Sequence, residues 1–474
     1  MPDKKAGYLF NRAPLNPSPF AELPIAAVKP RGWLYNQLRI QADGITGHLE
    51  EWWEDVGPNS GWLGGTGEFW ERGPYYCDGL VPLAYILDDA TLKGKAQKWV
   101  EWTLNSQRED GYFGPAVNGD WWPRMVMLKV LTQYYDATGD ERVISFMTEY
   151  FRYQHWYIKD IPLFDWGRIR GGDNLLSIYW LYNHTGNEFL LELAEIIFRQ
   201  TTDWTGLLFD LPYKKPAKEY IDIERVKQLP WNEISEGIPD YHQTHVVNVA
   251  MAVKQPGIYY QQSRDPKHKE AVEKGVDSLM KFHGMVYGMF TGDEHLSGKD
   301  PVQGTELCAV VEYMYSLENL IRIFGEGRYA DMLEKVAYNA LPATLKPDMR
   351  AHQYDQQANQ VLCTLAPRKW FNNGDAANLF GLEPNYGCCT ANMHQGWPKL
   401  ARNLWMATED GGLAAIVYAP CEVNAQVQHD REVTLLVDTD YPFTENIAVT
   451  VKTGGTAEFP IKLRIPEWCS SASI

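Results

Sequence analysis

Three cysteines and one glutamate carry the donor atoms of a soft-metal site: Glu306 and Cys308, one residue apart, and the adjacent pair Cys388-Cys389. Three thiolates and a carboxylate make a four-ligand zinc set. At an extended segment or a helix start, Glu306 and Cys308 can both reach one ion. The competing account is three free cysteines buried in a core, since cysteine is among the most buried residue types. With 80 residues between Cys308 and Cys388, spacing does not decide the matter. Seven cysteines is an odd number, so not all can pair within the chain. Adjacent Cys388 and Cys389 cannot easily both join ordinary disulfides, and a reduced compartment or a metal explains them better.

Just upstream of Glu306 runs an acidic loop, Gly292-Asp293-Glu294-His295-Leu296-Ser297-Gly298-Lys299-Asp300. Loops carry catalytic acids disproportionately, and a carboxylic acid near a metal-bound thiolate could protonate a leaving group. For any single residue there, a solvated acidic turn is the plainer account. In Asp240-Tyr241-His242-Gln243-Thr244-His245, two histidines three apart can share a helix face. No third metal ligand is obvious, so sugar hydroxyl contacts or satisfied buried imidazoles suit His242 and His245 better. Gly171-Gly172-Asp173-Asn174 and Asp120-Trp121-Trp122 stand where helical units begin. They fit either contacts on a cleft rim or ordinary helix caps. There is no Walker loop, no His-Glu-x-x-His and no Gly-x-Ser-x-Gly, and Gly64-Gly65-Thr66-Gly67 does not follow a strand.

The elements that must position these residues are mostly helical. From about residue 75 to 400, apolar residues recur at three and four spacings, as in Leu128-Leu131-Tyr134-Tyr135 and Leu193-Ile196-Ile197. Thr91, Thr138 and Thr185 are 47 residues apart, each in an Asp-Ala-Thr or Thr-Gly turn, and Phe324-Gly325-Glu326-Gly327-Arg328 is a degenerate later copy. That period suits a helix, a turn and a second helix, stacked as a solenoid or closed as a toroid. Aromatic-rich loops such as Gly111-Tyr112-Phe113-Gly114-Pro115 favour the toroid by analogy with sugar-active enzymes. After about residue 410, runs such as Leu413–Tyr418, Val433–Val437, Ile447–Val451 and Lys462–Pro466 read as strands of a β-sandwich cut short at its C-terminus. The expected organisation is a proline-rich wrapping segment over 1–30, a mainly α toroid over 31–408 and the start of a β-sandwich over 409–474.

A formal charge of −17 repels phosphate backbones and argues against a nucleic-acid partner. No run of 18 apolar residues marks a membrane helix, and the opening residues lack the apolar stretch of a leader. The expectation is a cytoplasmic protein, or a periplasmic one whose leader was removed. The 18 tryptophans and 27 tyrosines exceed what a core needs and fit sugar-stacking platforms.

At the cysteines the chain resembles glycoside hydrolase family 127, the β-L-arabinofuranosidase-like proteins. The matching pieces are Thr305-Glu306-Leu307-Cys308-Ala309, Cys388-Cys389-Thr390-Ala391-Asn392, Gln107-Arg108-Glu109-Asp110-Gly111-Tyr112, the Ala-Thr-Gly-Asp turn at 137–140, and Leu463-Arg464-Ile465-Pro466-Glu467-Trp468. The resemblance implies a six-hairpin (α/α) toroid followed by β-sandwich domains. It implies a zinc ion held by Glu306, Cys308, Cys388 and Cys389, with Cys388 as nucleophile and Glu294 as general acid/base, Asp293 being its understudy. It further implies a retaining hydrolase that removes a terminal sugar, a β-L-arabinofuranoside or a relative of it, from a plant or microbial glycan.

The chain departs from the family's pattern in the residues that read the sugar. The family's histidine positions read Trp121-Trp122-Pro123-Arg124 and Gly171-Gly172-Asp173-Asn174, and a further one falls near Lys254-Gln255. The candidate sugar contacts are Trp122, Asp173, His242, His245, Gln255 and Tyr386. The rival functions are a non-catalytic carbohydrate-binding protein with a structural zinc and a toroidal polysaccharide lyase. Carboxylates at 293 and 294 favour the hydrolase over the first, and the thiolates favour it over the second. Assembly as a homodimer is left open.

Overall fold

The computed structural model describes residues 7–474. Six helical segments are buried on nearly every side: Arg72–Ile86, Trp122–Thr138, Gly172–Thr185, the broken pair Val246–Ala252 and Gln255–Ser263, Leu307–Phe324, and Cys388–Asn392 continuing to Gly396–Arg402. Helices apolar all round belong in the interior. Each packs against the next in this order and the last packs against the first, so the ring closes. Helices with a single apolar stripe alternate with them along the chain. Phe189–Gln200, for example, fully buries Leu190, Leu193, Ala194 and Ile197 at helical spacing and leaves the rest half-buried or exposed. The fold is therefore an α/α toroid of inner and outer helices.

The 47-residue repeat has a local cause. Gly139, Gly186 and Gly325 close three inner helices in the left-handed conformation, with φ of 68°, 72° and 68°. Only glycine takes that cap without steric cost, which sets Thr-Gly at two of these helix ends and Phe324-Gly325 at the third. Thr91 is out of step. It lies inside the following helix, Ala90–Asn105, whose N-terminus is capped by the Asp89 carboxylate accepting from Thr91 and Leu92.

The ring axis is filled by one residue from each inner segment: Asp78, Lys129, Asp173, Lys254, Tyr315 and Lys399. Lys129 and Lys254 reach opposite oxygens of Asp173 at 2.8 and 2.7 Å, and Lys399 meets Asp78 at 2.7 Å. All three ammonium groups lie over the Tyr315 ring. Burial disfavours the Asp173 carboxylate, but the two lysines outweigh it and hold the group at about 2. This plug closes the toroid and gives one end a floor.

Two four-stranded sheets follow. In one, Trp405–Thr408 pairs with Leu413–Ala415 and with Phe20–Glu22, while Ile461–Leu463 runs parallel to Leu413–Ala415. In the other, Arg431–Asp438 lies between Ala448–Thr453 and Cys421–Val427, and Val28–Pro30 adds an edge. The N-terminal segment thus donates a strand to each sheet. Among the described residues no helix is long and apolar enough to cross a membrane.

Candidate active site

A third, small sheet builds the site. Its strands are His295–Leu296, Gly292–Asp293, Gly304–Glu306 and Asp355–Gln357, in that spatial order. Glu294 occupies the tight reversal between the first two, with φ of 78°. A non-glycine residue held there is strained, and such strain collects at functional sites. The backbone is pinned by Val246 N–H donating to the Glu294 carbonyl at 2.9 Å. Gly292 permits this approach, because a Cβ there would sit 2.3 Å from Val246. Glu306 ends its strand and caps the helix Leu307–Phe324, which puts Cys308 in the first turn. Cys388 and Cys389 open another helix. Two helix N-termini therefore converge, and their positive ends favour thiolates.

The donor atoms of Glu306, Cys308, Cys388 and Cys389 all lie within 4.8 Å of one another. Zinc–sulfur bonds of ~2.3 Å in a tetrahedron bring sulfurs to roughly 3.8 Å, so a small contraction would seat an ion. Glu306 Oε2 is buried without a hydrogen-bond partner. Burial also drives the Glu306 carboxyl well above its usual range, with Glu294 and Cys388 adding to the rise. A buried carboxylate among thiols, with no cation bonded to it, is what a metal would complete. The residues present fit a zinc ion.

Glu294 hangs over this cluster. His245 Nδ1 accepts from the Asn248 N–H at 3.4 Å, capping the helix Val246–Ala252, so its proton sits on Nε2 and is donated to Glu294 Oε1 at 3.1 Å. The Tyr354 hydroxyl donates to Glu294 Oε2 at 2.7 Å and touches Cys388 Sγ at 3.3 Å. Burial alone would lift the Glu294 carboxyl, but His245 and Tyr354 hold it low. Burial likewise opposes ionisation of Cys388, yet hydrogen bonds from Cys308, Cys389 and Tyr354 hold that thiol well below the usual range. Cys308 and Cys389 are pushed up by burial.

A cavity of about 380 Å³ opens onto these groups. Its walls include Trp70, Trp166, Trp231, Tyr241 and Tyr386, and the Trp166 and Trp231 rings stack 5.6 Å apart. A family model described as the β-L-arabinofuranosidase GH127 catalytic domain matches residues 42–402, and the GH127 middle-domain model matches 412–474. The chain belongs to glycoside hydrolase family 127. One solved structure described as a glycoside hydrolase superposes with a TM-score of 0.72 at 16% identity, covering 98% of this chain and 74% of the other. A GH127 β-L-arabinofuranosidase from Geobacillus stearothermophilus T6 superposes with a TM-score of 0.68 at 19% identity, covering 94% and 75%. A GH127 β-arabinofuranosidase gives 0.67 at 17%, covering 95% and 72%. These likenesses concern the fold. Curated proteins give no match.

Within this GH127 site, Glu294, His245, Tyr386, Glu306, Cys308 and Cys388 line the cavity. Cys389 completes the donor cluster behind it. Asp293 faces away, bonded by Ser297 and by the Phe371 N–H, and burial lifts it to about 7. Four expected sugar contacts do not line the cavity. Trp122 is fully buried behind the wall, where its Nε1 donates to Glu71 Oε2 at 2.6 Å. Asp173 belongs to the axial plug. Gln255 packs on Gly172 at the contact between two inner segments. His242 lies behind Trp166 and Trp231 with Ser235 and Asn248, and burial lowers it to about 3. The shared-face expectation for the histidines fails because one short helix ends at Thr244 and the next starts at Val246. His245 becomes the cap between them and points elsewhere.

Sequence reasoning passed over Tyr354, Glu71 and Arg170. Each sits in a segment without a motif. Tyr354 arrives only through the pairing of Asp355 with Glu306.

Proposed function

We propose that this GH127 enzyme is a retaining glycoside hydrolase, with Cys388 as nucleophile, Glu294 as acid and base, and a terminal neutral sugar as substrate, a β-L-arabinofuranoside or a close relative. The observation that carries this is the shared Tyr354 hydroxyl. Its contacts of 2.7 and 3.3 Å keep Glu294 and Cys388 within 6.0 Å of each other. Retaining enzymes separate their two groups by about 5–5.5 Å, whereas inverting ones need about 6.5–9.5 Å to admit water.

A zinc ion held by Glu306, Cys308, Cys388 and Cys389 would keep the thiols ionised and neutralise the buried charge. In the first step Cys388 Sγ attacks the anomeric carbon while the glycosidic C–O bond breaks. A bound sugar that displaces water, together with the neighbouring Cys388 thiolate, favours the protonated form of Glu294, and its carboxyl gives that proton to the departing oxygen, leaving a thioglycosyl group on Cys388. In the second step Glu294, now a carboxylate, takes a proton from water. The water oxygen attacks the same carbon, the C–S bond breaks, and the thiolate returns. Tyr354 keeps the two groups in register and supports whichever is charged. The cavity lies at the small end of ligand sites, which suits a terminal sugar better than a polymer chain.

The test is turnover of an aryl glycoside panel that includes 4-nitrophenyl β-L-arabinofuranoside, with proton NMR of the first product. Retention of the anomeric configuration is expected. Inversion would remove the covalent step, and an unsaturated ring absorbing in the ultraviolet would point to a lyase.

A further inference from the structure

Two charged side chains on the cavity wall have no part in the steps above. Glu71 and Arg170 are almost wholly buried yet line the cavity. Arg170 is clamped in orientation. Its guanidinium lies 4.7 Å from the Trp122 ring and 4.4 Å from the Trp166 ring. Nε donates to Asn248 Oδ1 at 2.8 Å, and Nη1 reaches Glu71 Oε2 at 3.2 Å and the Tyr75 hydroxyl at 3.4 Å. Glu71 is clamped through the same oxygen, which also accepts from Trp122. So each group spends one side on the protein. Among the described residues Glu71 Oε1 accepts and Arg170 Nη2 donates no hydrogen bond, and they belong to neighbouring, immobilised side chains. Both side chains line the same cavity as Cys388 and Glu294.

We infer that Glu71 and Arg170 form the sugar-reading pair of the cavity and select a neutral glycosyl unit with two adjacent hydroxyls, one donating to Glu71 Oε1 and the other accepting from Arg170 Nη2. This rests on the hydrolytic reading of the same site. A hydroxyl can serve either role, and Oε1 pairs with one whether Glu71 is ionised or protonated. A carboxylated sugar would suit Arg170 alone. It would also meet Glu71 and Glu294, two carboxyl groups against one guanidinium on the cavity wall, and like charges at such range repel strongly. A site built to bond hydroxyls discriminates hard, because its polar atoms are left unpaired by the wrong ligand.

The experiment reads binding apart from turnover. The holoenzyme is titrated with free L-arabinose, D-xylose and D-galactose, and with D-galacturonic and D-glucuronic acids, by calorimetry and by tryptophan fluorescence. At least one neutral sugar should saturate, with both uronic acids at least tenfold weaker. Glu71→Leu, which is similar in size and has no polar atom, should weaken the neutral sugar roughly 10- to 100-fold, the effect of losing one hydrogen bond at a buried polar site. Arg170→Lys, which keeps the charge and loses the planar fork, should weaken it similarly. Unfolding midpoints separate a lost contact from a lost fold. The inference is overturned if a uronic acid binds more tightly, if no neutral sugar saturates, or if Glu71→Leu leaves the affinity unchanged. Saturable, Glu71-dependent binding without turnover of any glycoside would instead sink the hydrolytic reading.

Discussion

Replacing Glu294 by glutamine removes the proton and little else. The amide oxygen still accepts from His245, and the amide nitrogen can donate to the Tyr354 hydroxyl, which stands 2.7 Å from Oε2 in the wild type. Glu294 is not among the four metal donors, so zinc content should stay at the wild-type level. The loss is that of a general acid, about 10²–10⁴-fold, or about 3–5 kcal/mol of transition-state stabilisation. That loss should appear in full with a poor leaving group such as an alkyl glycoside. With 4-nitrophenyl glycosides the first step needs little protonation, so it should survive while the second step, which needs the base, stalls. Azide needs no general base and should rescue turnover. The assay is steady-state and burst kinetics on the two leaving groups, with and without azide. Equal losses on both leaving groups, with no burst and no rescue, would refute the assignment of Glu294 as acid and base.

Other outcomes follow from the same geometry. Cys308→Ser should lower zinc from about one equivalent per chain, read by elemental analysis, because an opened donor set binds more weakly. Unchanged metal content would exclude Cys308 as a ligand. Asp173→Ala removes the carboxylate that both lysines share, leaving Lys129 a looser 3.7 Å pair with Asp78 and Lys254 the Met251 carbonyl at 3.2 Å, with the Tyr315 ring beside both. Breaking buried pairs costs about 3–5 kcal/mol in denaturant unfolding, and a loss below about 1 kcal/mol would show the plug to be unimportant. Glu318 is buried with both carboxyl oxygens unpartnered, and burial pushes it up to about 8. Between about 4.5 and 8 the unfolded chain has released a proton that the folded one keeps, so stability falls as pH rises through that window. Glu318→Gln should recover about 3 kcal/mol at pH 7 and nothing near pH 4, and a pH-independent difference would contradict the cause given.

Residues whose chemistry is unusual were readable before the fold. Glu306, Cys308, Cys388 and Cys389 stand out by residue type and by the family resemblance, their spacing alone leaving buried free thiols open, and the structure gathers their donor atoms within 4.8 Å. The helical repeat was legible from the Thr-Gly caps, its closure into a toroid only from analogy and the family resemblance, and the strands from their β-branched runs. The sugar-reading wall was not. Trp122 and Asp173 sit at helix starts, where sequence suggests a rim, but inner helices turn such side chains into the ring. Glu71, Arg170 and Tyr354 are ordinary residue types whose meaning comes from partners 60 to 99 positions away. Such contacts leave no local pattern.

The central claim is that Cys388 is covalently glycosylated during turnover. Peptide mass mapping of acid-quenched Glu294→Gln, taken during reaction with a hydrolysed 4-nitrophenyl glycoside, tests it directly. One glycosyl mass on the peptide carrying Cys388 is the expected result. An unmodified Cys388 peptide alongside full release of nitrophenol, or the same mass on Glu306, would contradict it.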